Sequence, residues 1–157
     1  MHVAIVHTAL SEESSPDDLD VLAQVNAVEG GLKALGHTIS ILTCDLNLSE
    51  MSRRLKECNA DLIFNLVESI SGHGRLIYLF PALLDALSIP YTGSNTESLW
   101  MTSHKVLSKD RMAAAGLPTP PWIGPFPDTY PRLPQRGSSG YDPEAHTWIV
   151  KSLWEHA

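Results

Sequence analysis

Short apolar runs alternate along this chain with longer stretches in which apolar residues recur every three or four positions. Four of the short runs predict β-strands, because a strand buried on both faces of a parallel sheet is apolar throughout. They lie at 3–6, 38–43, 61–67 and 89–92. The amphipathic stretches between them predict helices, so the order of elements is β-α-β-α-β-α-β. This order is typical of an α/β fold, here a Rossmann-like parallel sheet with flanking helices.

Several residues predict where the helices begin, bend or end. Ser49 and the Ser94–Glu97 capping-box pattern predict two helix starts, and Gly30-Gly31 predicts either an early end of the first helix or a close backbone contact. Pro81 predicts a kink in the helix over 72–87, or the opening of a second helix. The first helix should bury one apolar face, which comprises Leu19, Leu22, Val25, Val28, Leu32 and Leu35.

A change of composition follows the helix predicted over 103–115. Eight of the eleven prolines lie between positions 118 and 143, which predicts an irregular connection. The apolar run at 147–151 then predicts a further strand that ends in Lys151. A lysine in a buried strand is costly unless an anion neutralises it, whereas a lysine on an edge strand can extend to solvent. On spacing alone the two interpretations remain open.

Charge and cysteine content narrow the classes of partner. The net charge is −7 and no basic run occurs, so nucleic acid is a poor candidate partner. Cys44 and Cys58 form no CxxC pair, which argues against a zinc ribbon or a redox motif. The N-terminus has no secretory leader pattern and no run is long enough for a membrane helix. We therefore expect a cytoplasmic protein without a membrane or nucleic-acid partner.

Polar residues that follow the predicted strands are the candidate ligand-binding groups. Glu68 comes directly after the third strand, at the edge where open α/β sheets bind ligands, and could hold a substrate ammonium group. A helix-capping or solvated carboxylate is an equally good interpretation. His73 lies at the same edge, although a surface histidine is the simpler interpretation. Glu12 and Glu13 follow the first strand. Ile77 stands where G-x-G-x-x-G would need its third glycine, so a dinucleotide fingerprint is absent.

Several segments together resemble D-alanine–D-alanine ligases and their ATP-grasp relatives. The resemblance is good from about 61 to 122 and recovers at 148, and it is weaker over the first 60 residues. The segments that carry it are Phe64-Asn65-Leu66-Val67-Glu68, Ala86-Leu87-Ser88-Ile89-Pro90-Tyr91-Thr92-Gly93-Ser94, Lys105 to Lys109, Ala114-Ala115-Gly116-Leu117-Pro118-Thr119-Pro120 and Ile149-Val150-Lys151.

The resemblance implies an N-terminal pre-ATP-grasp α/β domain over 1–100 and the incomplete, truncated start of an ATP-grasp domain over 101–157. It implies ATP-dependent ligation of a carboxylate to an amine, with ATP and Mg²⁺ in the whole enzyme and a possible homodimer. Lys105 and Lys151 would contact the nucleotide. Glu68, Ser69, Glu13 and His73 are the candidate substrate-binding residues, for an amino acid or a peptide. No metal ligand is assigned in this chain, and its catalytic residues are unknown.

Two departures from the family pattern affect the amino-acid pocket. The ligases carry a glutamate in a glycine-rich first loop and a His-Gly pair after the third strand. Here the first loop begins with His7-Thr8, and Glu68-Ser69 replaces the His-Gly pair. The phosphate loop and the Mg²⁺-binding acids of the family have no counterpart before Ala157. We therefore expect this chain alone to be inactive. The alternatives are a non-catalytic ligase-like binding module and an ATP-grasp ligase for other amino acids or peptides. A true ligase would serve peptidoglycan synthesis.

Overall fold

A computed structural model describes residues 1–10, 16–122 and 149–154, with side chains in the first helix from residue 19 onward. The chain forms two compact units, Met1–Trp100 and Met101–Ala157. Glu12, Glu13 and most of the proline-rich connection lie outside the described residues. The identification of the two units as pre-ATP-grasp and ATP-grasp domains stays a prediction.

A parallel sheet forms the centre of the first unit. In the described residues it has three strands, β1 (His2–Thr8), β2 (Thr38–Cys44) and β3 (Leu62–Leu66), in the order β2-β1-β3. The central strand β1 is buried from Val3 to Thr8 because it pairs on both edges and is covered on both faces. The predicted α/β class is therefore confirmed.

Helices cover both faces of this sheet. These are α1 Pro16–Ala34, α2 Leu48–Cys58 and α3 Leu79–Leu87, with a 3₁₀ turn Gly74–Leu76 before α3. Two further helices, α4 Thr96–Thr102 and α5 Lys105–Ala114, follow along the chain. Alternate β1 residues point to opposite faces, so Ala4 and Val6 share a core with α2 and α3 while Val3 and Ile5 lie on the other face. α1 packs against all three strands.

The first helix differs from its prediction in two ways. Among its described side chains Val21 and Val25 are buried, whereas Leu19 and Leu22 are exposed, as is Leu35 just beyond the helix. Of the predicted face, Val25 is buried and Val28 and Leu32 are half-buried, so the buried face differs from the predicted one only in part. Gly30 and Gly31 neither end the helix nor approach another backbone, because a Cβ atom at either position would meet nothing within 4 Å. The helical hydrogen bonds simply continue through the two exposed glycines.

Two helix starts differ from their predicted positions by one or two residues. Asn47 caps α2 by accepting a hydrogen bond from the Glu50 amide, so Ser49 lies inside the helix. Asn95, and not Ser94, accepts a bond from the Ser98 amide at the start of α4. In both cases a neighbouring asparagine, which is an equally good cap, occupies the position. Pro81 stands in the first turn of α3, which confirms the interpretation that it opens a second helix.

The fourth predicted strand is reduced to a single bridge between Ile63 and Tyr91. The Ile63 amide donates to the Pro90 carbonyl and the Thr92 amide donates to the Ile63 carbonyl. The next ladder bond is replaced, because the Asn65 amide donates to the Thr92 hydroxyl at 3.1 Å. Gly93, with φ of +97°, then turns the chain away. Of the short strand predicted over 89–92, only this parallel bridge is formed.

The strand predicted at 147–151 is not seen in its described part. Residues 149–151 have no strand pairing, and Ile149 and Val150 are 77% and 96% exposed. For residues 149–151 the prediction was wrong, because an apolar run forms a strand only where a neighbouring strand supplies backbone partners, and no described residue does so here. Residues 147 and 148 lie outside the described part of the chain.

Candidate functional site

The carboxyl ends of β1 and β3 meet at one edge of the sheet, as the ends of parallel strands do. β1 ends at Thr8 and β3 ends at Leu66, and the last register pair between them is His7 with Leu66. The loop 67–73 begins immediately beyond this pair. Ligands of open α/β sheets bind at this edge, which makes the loop the first candidate site.

The hydroxyl of Thr8 fastens the start of this loop. Its Oγ1 accepts hydrogen bonds from the amides of Glu68 (3.1 Å) and Ser69 (3.3 Å) and donates to the Ser69 carbonyl (3.1 Å). A threonine hydroxyl has one hydrogen to donate and two lone pairs, so its capacity is fully used. The backbone of Glu68 and Ser69 is therefore fixed by a buried side chain of the neighbouring strand.

The far side of the loop is a tight turn. Ile70 and His73 exchange backbone hydrogen bonds of 3.3 and 3.0 Å. The two residues between them, Ser71 and Gly72, have φ of +51° and +73°, as the central residues of a type I′ turn require. Ile70 is fully buried and anchors the turn, whereas His73 is exposed.

The Glu68 carboxylate projects from the fixed part of the loop. Glu68 is exposed, and its Oε1 accepts a long hydrogen bond of 3.4 Å from Gln24 of α1. Ser69 is half-buried and is held through its backbone by Thr8. Glu68, Ser69 and His73 therefore lie on one short loop, while Glu13 lies outside the described residues. Thr8 and Gln24 were missed, although a threonine that ends an apolar run was a usable signal for the first.

In the second unit, Lys105 is the first residue of α5 and is half-buried. The preceding His104 caps the helix, because its Nδ1 accepts a hydrogen bond from the Leu107 amide at 3.2 Å. The first amides of a helix lack intrahelical partners and lie at its positive end. A lysine at this position adds a further positive charge, which suits an anion such as a phosphate.

The segment that carries Lys151 lies against the start of α5. The Lys105 amide donates to the Leu153 carbonyl at 2.9 Å, and the rings of His104 and Trp154 meet edge to face with centroids 4.6 Å apart. The structure thus brings the two predicted nucleotide-binding segments together. Lys151 itself is exposed and not in a strand, so the argument that its burial requires an anion is not supported.

A second polar cluster lies on the first unit, in an open depression near α3 and α4. The Tyr91 hydroxyl donates to Asp85 at 2.8 Å and the Thr96 hydroxyl donates to the other carboxylate oxygen. These bonds, chiefly the one from Thr96, hold the pKa of Asp85 below its usual value. The carboxylate therefore ties the start of α4 to α3, which is a sufficient structural role.

The described residues offer no resident metal site. Within 1–10, 16–122 and 149–154, no group of three or more His, Cys, Asp and Glu side chains could hold a metal ion. The Mg²⁺ implied by the family resemblance thus has no such donor set among these residues. Of the helices that the structure describes, none combines the length and apolar character needed to cross a membrane.

Comparison with known proteins gives a consistent set of relatives. No model of a protein family matches the chain. The chain is 35% identical over 98 residues to a D-alanine–D-alanine ligase of Moorella thermoacetica, which covers 62% of this chain and 30% of the ligase. A second D-alanine–D-alanine ligase, from Methylacidiphilum infernorum, is 30% identical over 145 residues, covering 88% of this chain and 44% of the ligase.

A third relative, the uncharacterized protein y4sG of Sinorhizobium fredii, is 32% identical over 100 residues, with 60% of this chain and 30% of the relative covered. Among solved structures, the D-alanine–D-alanine ligase of Bacillus anthracis complexed with ATP matches with a TM-score of 0.61 and 23% identity. It covers 78% of this chain and 39% of the ligase, and at this identity it supports the fold alone. This chain spans less than half the length of these relatives.

Proposed function

Because the chain is like the N-terminal portion of the D-alanine–D-alanine ligase-like ATP-grasp family, we propose that it serves an ATP-dependent carboxylate–amine ligase. In this reaction ATP transfers its terminal phosphoryl group to a carboxylate and leaves as ADP. The amine then attacks the acyl phosphate, phosphate leaves with the bonding electron pair, and the amine loses a proton. The whole reaction is part of the proposal, since the chain spans under half of its relatives.

The first unit would bind the amino-acid substrate. The observation that carries this role is Glu68, an exposed carboxylate on a fixed loop at the carboxyl end of β3. Among the described residues Glu68 takes part in no ion pair, and an exposed carboxylate on a fixed backbone suits the ammonium group of an amino acid. Ser69 and His73 on the same loop would contact the remainder of the substrate, and Glu13 stays a predicted contact.

The second unit would bind the phosphates of ATP. Lys105 supports this role because it begins a ten-residue helix, whose dipole favours an anion at this end. The contact between the Lys105 amide and the Leu153 carbonyl brings the Lys151 segment to the same helix end. Two lysines that neutralise transferring phosphate charge would lower the barrier to phosphoryl transfer.

ATP binding tests the lysine assignments. Titration of the chain with ATP, followed by calorimetry, should give an affinity that falls about tenfold or more in Lys105→Met and in Lys151→Met, since each removes a charge-assisted contact. Lys56→Met, in the last turn of α2, is the matched control and should bind ATP as the wild type does. Unchanged affinity in both lysine variants would contradict these assignments.

A second candidate function is a ligase for other amino acids or peptides. It is favoured by Glu68-Ser69, which stand where the resemblance predicts a His-Gly pair. A panel of D-alanine, L-alanine, glycine and short peptides, each titrated against the chain, separates the candidates. Preference for D-alanine supports the first, and preference for another amino acid or a peptide supports the second. Binding without any dependence on ATP in the whole protein would favour a non-catalytic module.

A cytoplasmic location, a homodimer and the lack of nucleic-acid or membrane partners remain predictions.

A further inference from the structure

We propose that Thr8 is a positioning residue whose buried hydroxyl sets the loop 67–73 in the conformation that binds substrate. The inference rests on the proposed function, because it concerns the site that holds the substrate ammonium group. Thr8 does not touch the substrate itself. It acts through Glu68, whose backbone it holds.

The Thr8 hydroxyl forms its hydrogen bonds at the point where backbone pairing between β1 and β3 ends. β1 and β3 pair through His7 and Leu66, and a further ladder step would place Thr8 opposite the residues that follow Leu66. Instead, the amides of Glu68 and Ser69 both donate to the Thr8 hydroxyl, which returns one bond to the Ser69 carbonyl. One side chain thus replaces the backbone ladder at the point where the loop leaves the sheet.

Thr8 is itself held firmly. It is 9% exposed, and it is paired in register with Cys44 of β2, while the next residue, Ala9, donates its amide to the Cys44 carbonyl at 2.9 Å. β1 is the central strand, so its position depends on both neighbours. A hydroxyl held by this strand therefore fixes the position of the loop backbone relative to the sheet.

A separate set of contacts fixes the other end of the loop. Ile70 is fully buried, and the turn through Ser71 and Gly72 returns the chain to the buried Gly74. Glu68 lies between the two anchors and exposes its carboxylate to solvent. Because the loop is already ordered, little conformational entropy remains to be lost when a ligand binds.

Loss of the hydroxyl alone should therefore loosen the Glu68 end of the loop. Thr8→Val keeps the β-branched shape but leaves the amides of Glu68 and Ser69 without their acceptor, whereas Thr8→Ser keeps the hydroxyl. Thr38→Val makes the same change at the opposite end of the sheet, where the residue is exposed, and serves as the matched control. Amide hydrogen exchange of the full chain should be at least tenfold faster at Glu68 and Ser69 in Thr8→Val only.

Affinity for D-alanine then separates a positioning role from a merely structural one. Thr8→Val should weaken D-alanine binding about tenfold, and Thr8→Ser should restore it to within about threefold. If Thr8 acts through the carboxylate, Thr8→Val should cause no further loss in a chain that already carries Glu68→Gln. A purely structural role would instead weaken binding to the same extent in both backgrounds.

The outcomes distinguish failure of the role of Thr8 from failure of the proposed function. Unchanged exchange at Glu68 and Ser69 in Thr8→Val overturns the role of Thr8, whatever the ligand data. Faster exchange with unchanged D-alanine affinity, or a loss that persists in the Glu68→Gln background, also overturns it. A wild-type chain that binds neither D-alanine nor any other amino acid overturns the proposed function and the substrate-positioning role together. Wild-type binding with an unaffected Thr8→Val overturns the role of Thr8 only.

Discussion

The loop after β3 and the segment that carries Lys151 both hold candidate ligand-binding side chains, but they are supported in different ways. The loop exposes Glu68 between two buried anchors, Thr8 and Ile70. The Lys151 segment follows two exposed apolar residues, Ile149 and Val150, and contacts α5 through the Leu153 carbonyl and the Trp154 ring. Glu68 is thus pre-positioned by buried residues, one of them on the neighbouring strand, whereas the residues immediately before Lys151 are exposed.

The largest expected difference between the two regions comes from their isoleucines. Ile70→Ala removes a fully buried side chain and leaves a cavity, so it should lower the free energy of unfolding by about 2–5 kcal/mol. Ile149→Ala, at a position 77% exposed, should change it by less than about 0.5 kcal/mol. Urea unfolding followed by circular dichroism measures both. Equal effects of the two substitutions would remove the contrast between the regions.

A smaller effect is expected from Lys109, which ties the chain after α5 to that helix. Its Nζ donates to the Thr119 hydroxyl at 3.0 Å and the Pro120 carbonyl at 2.9 Å, and lies 5.4 Å from the centre of the Trp122 ring. Lys109→Met should cost about 1 kcal/mol through the lost bonds and cation–π contact. Arg111→Met, an exposed change in the same helix, should cost about half of this.

The Lys109 variants are compared by the same urea unfolding, with the amide signal of Thr119 followed by NMR. A tie through Lys109 predicts a shift of this signal in Lys109→Met and none in Arg111→Met. An unmoved Thr119 signal in Lys109→Met would indicate that the second unit holds its chain after α5 by other contacts. The chain after α5 would then be anchored by several contacts, as the loop 67–73 is.

The smallest expected effect on the free energy of unfolding at neutral pH comes from ionisation of Cys44. This residue pairs with Thr8 at the carboxyl edge of the sheet. Burial, with a smaller contribution from Asp45, raises the pKa of its thiol from 9.0 to about 12. The buried neutral thiol therefore contributes its full stabilisation below pH 9.0, and this contribution falls as the pH rises toward 12. At pH 8 Cys44 should remain a protonated, unreactive thiol.

Alkylation with iodoacetamide at pH 8, followed by peptide mass mapping, tests this expectation. Cys58, which is half-buried, should react well before Cys44. A Cys58→Ser chain isolates the slow reaction, and its rate should rise steeply in denaturant. Equal rates for the two cysteines in the folded chain would show that the edge of the sheet next to Thr8 opens readily, and would weaken the case for an anchored loop.

The periodicity of the sequence predicted the α/β class and the three strands, because apolar runs such as 3–6 need only be buried between helices. It could not predict which side chains replace backbone pairing. Thr8 and Thr92 each end a strand ladder with a hydroxyl, and this depends on the register of strands that are distant in sequence. The described part of the run before Lys151, residues 149 and 150, was misassigned for a similar reason, since strand formation requires a partner that local sequence does not reveal.

The central claim is that Glu68, held by Thr8, binds the ammonium group of an amino-acid substrate. Isothermal titration of D-alanine into the wild-type chain and into Glu68→Gln tests it most directly, because the substitution removes the charge and preserves the shape. The account predicts binding to the wild type and an affinity at least tenfold lower, equivalent to about 1.4 kcal/mol, in Glu68→Gln. Equal affinity of the two chains for D-alanine would contradict it.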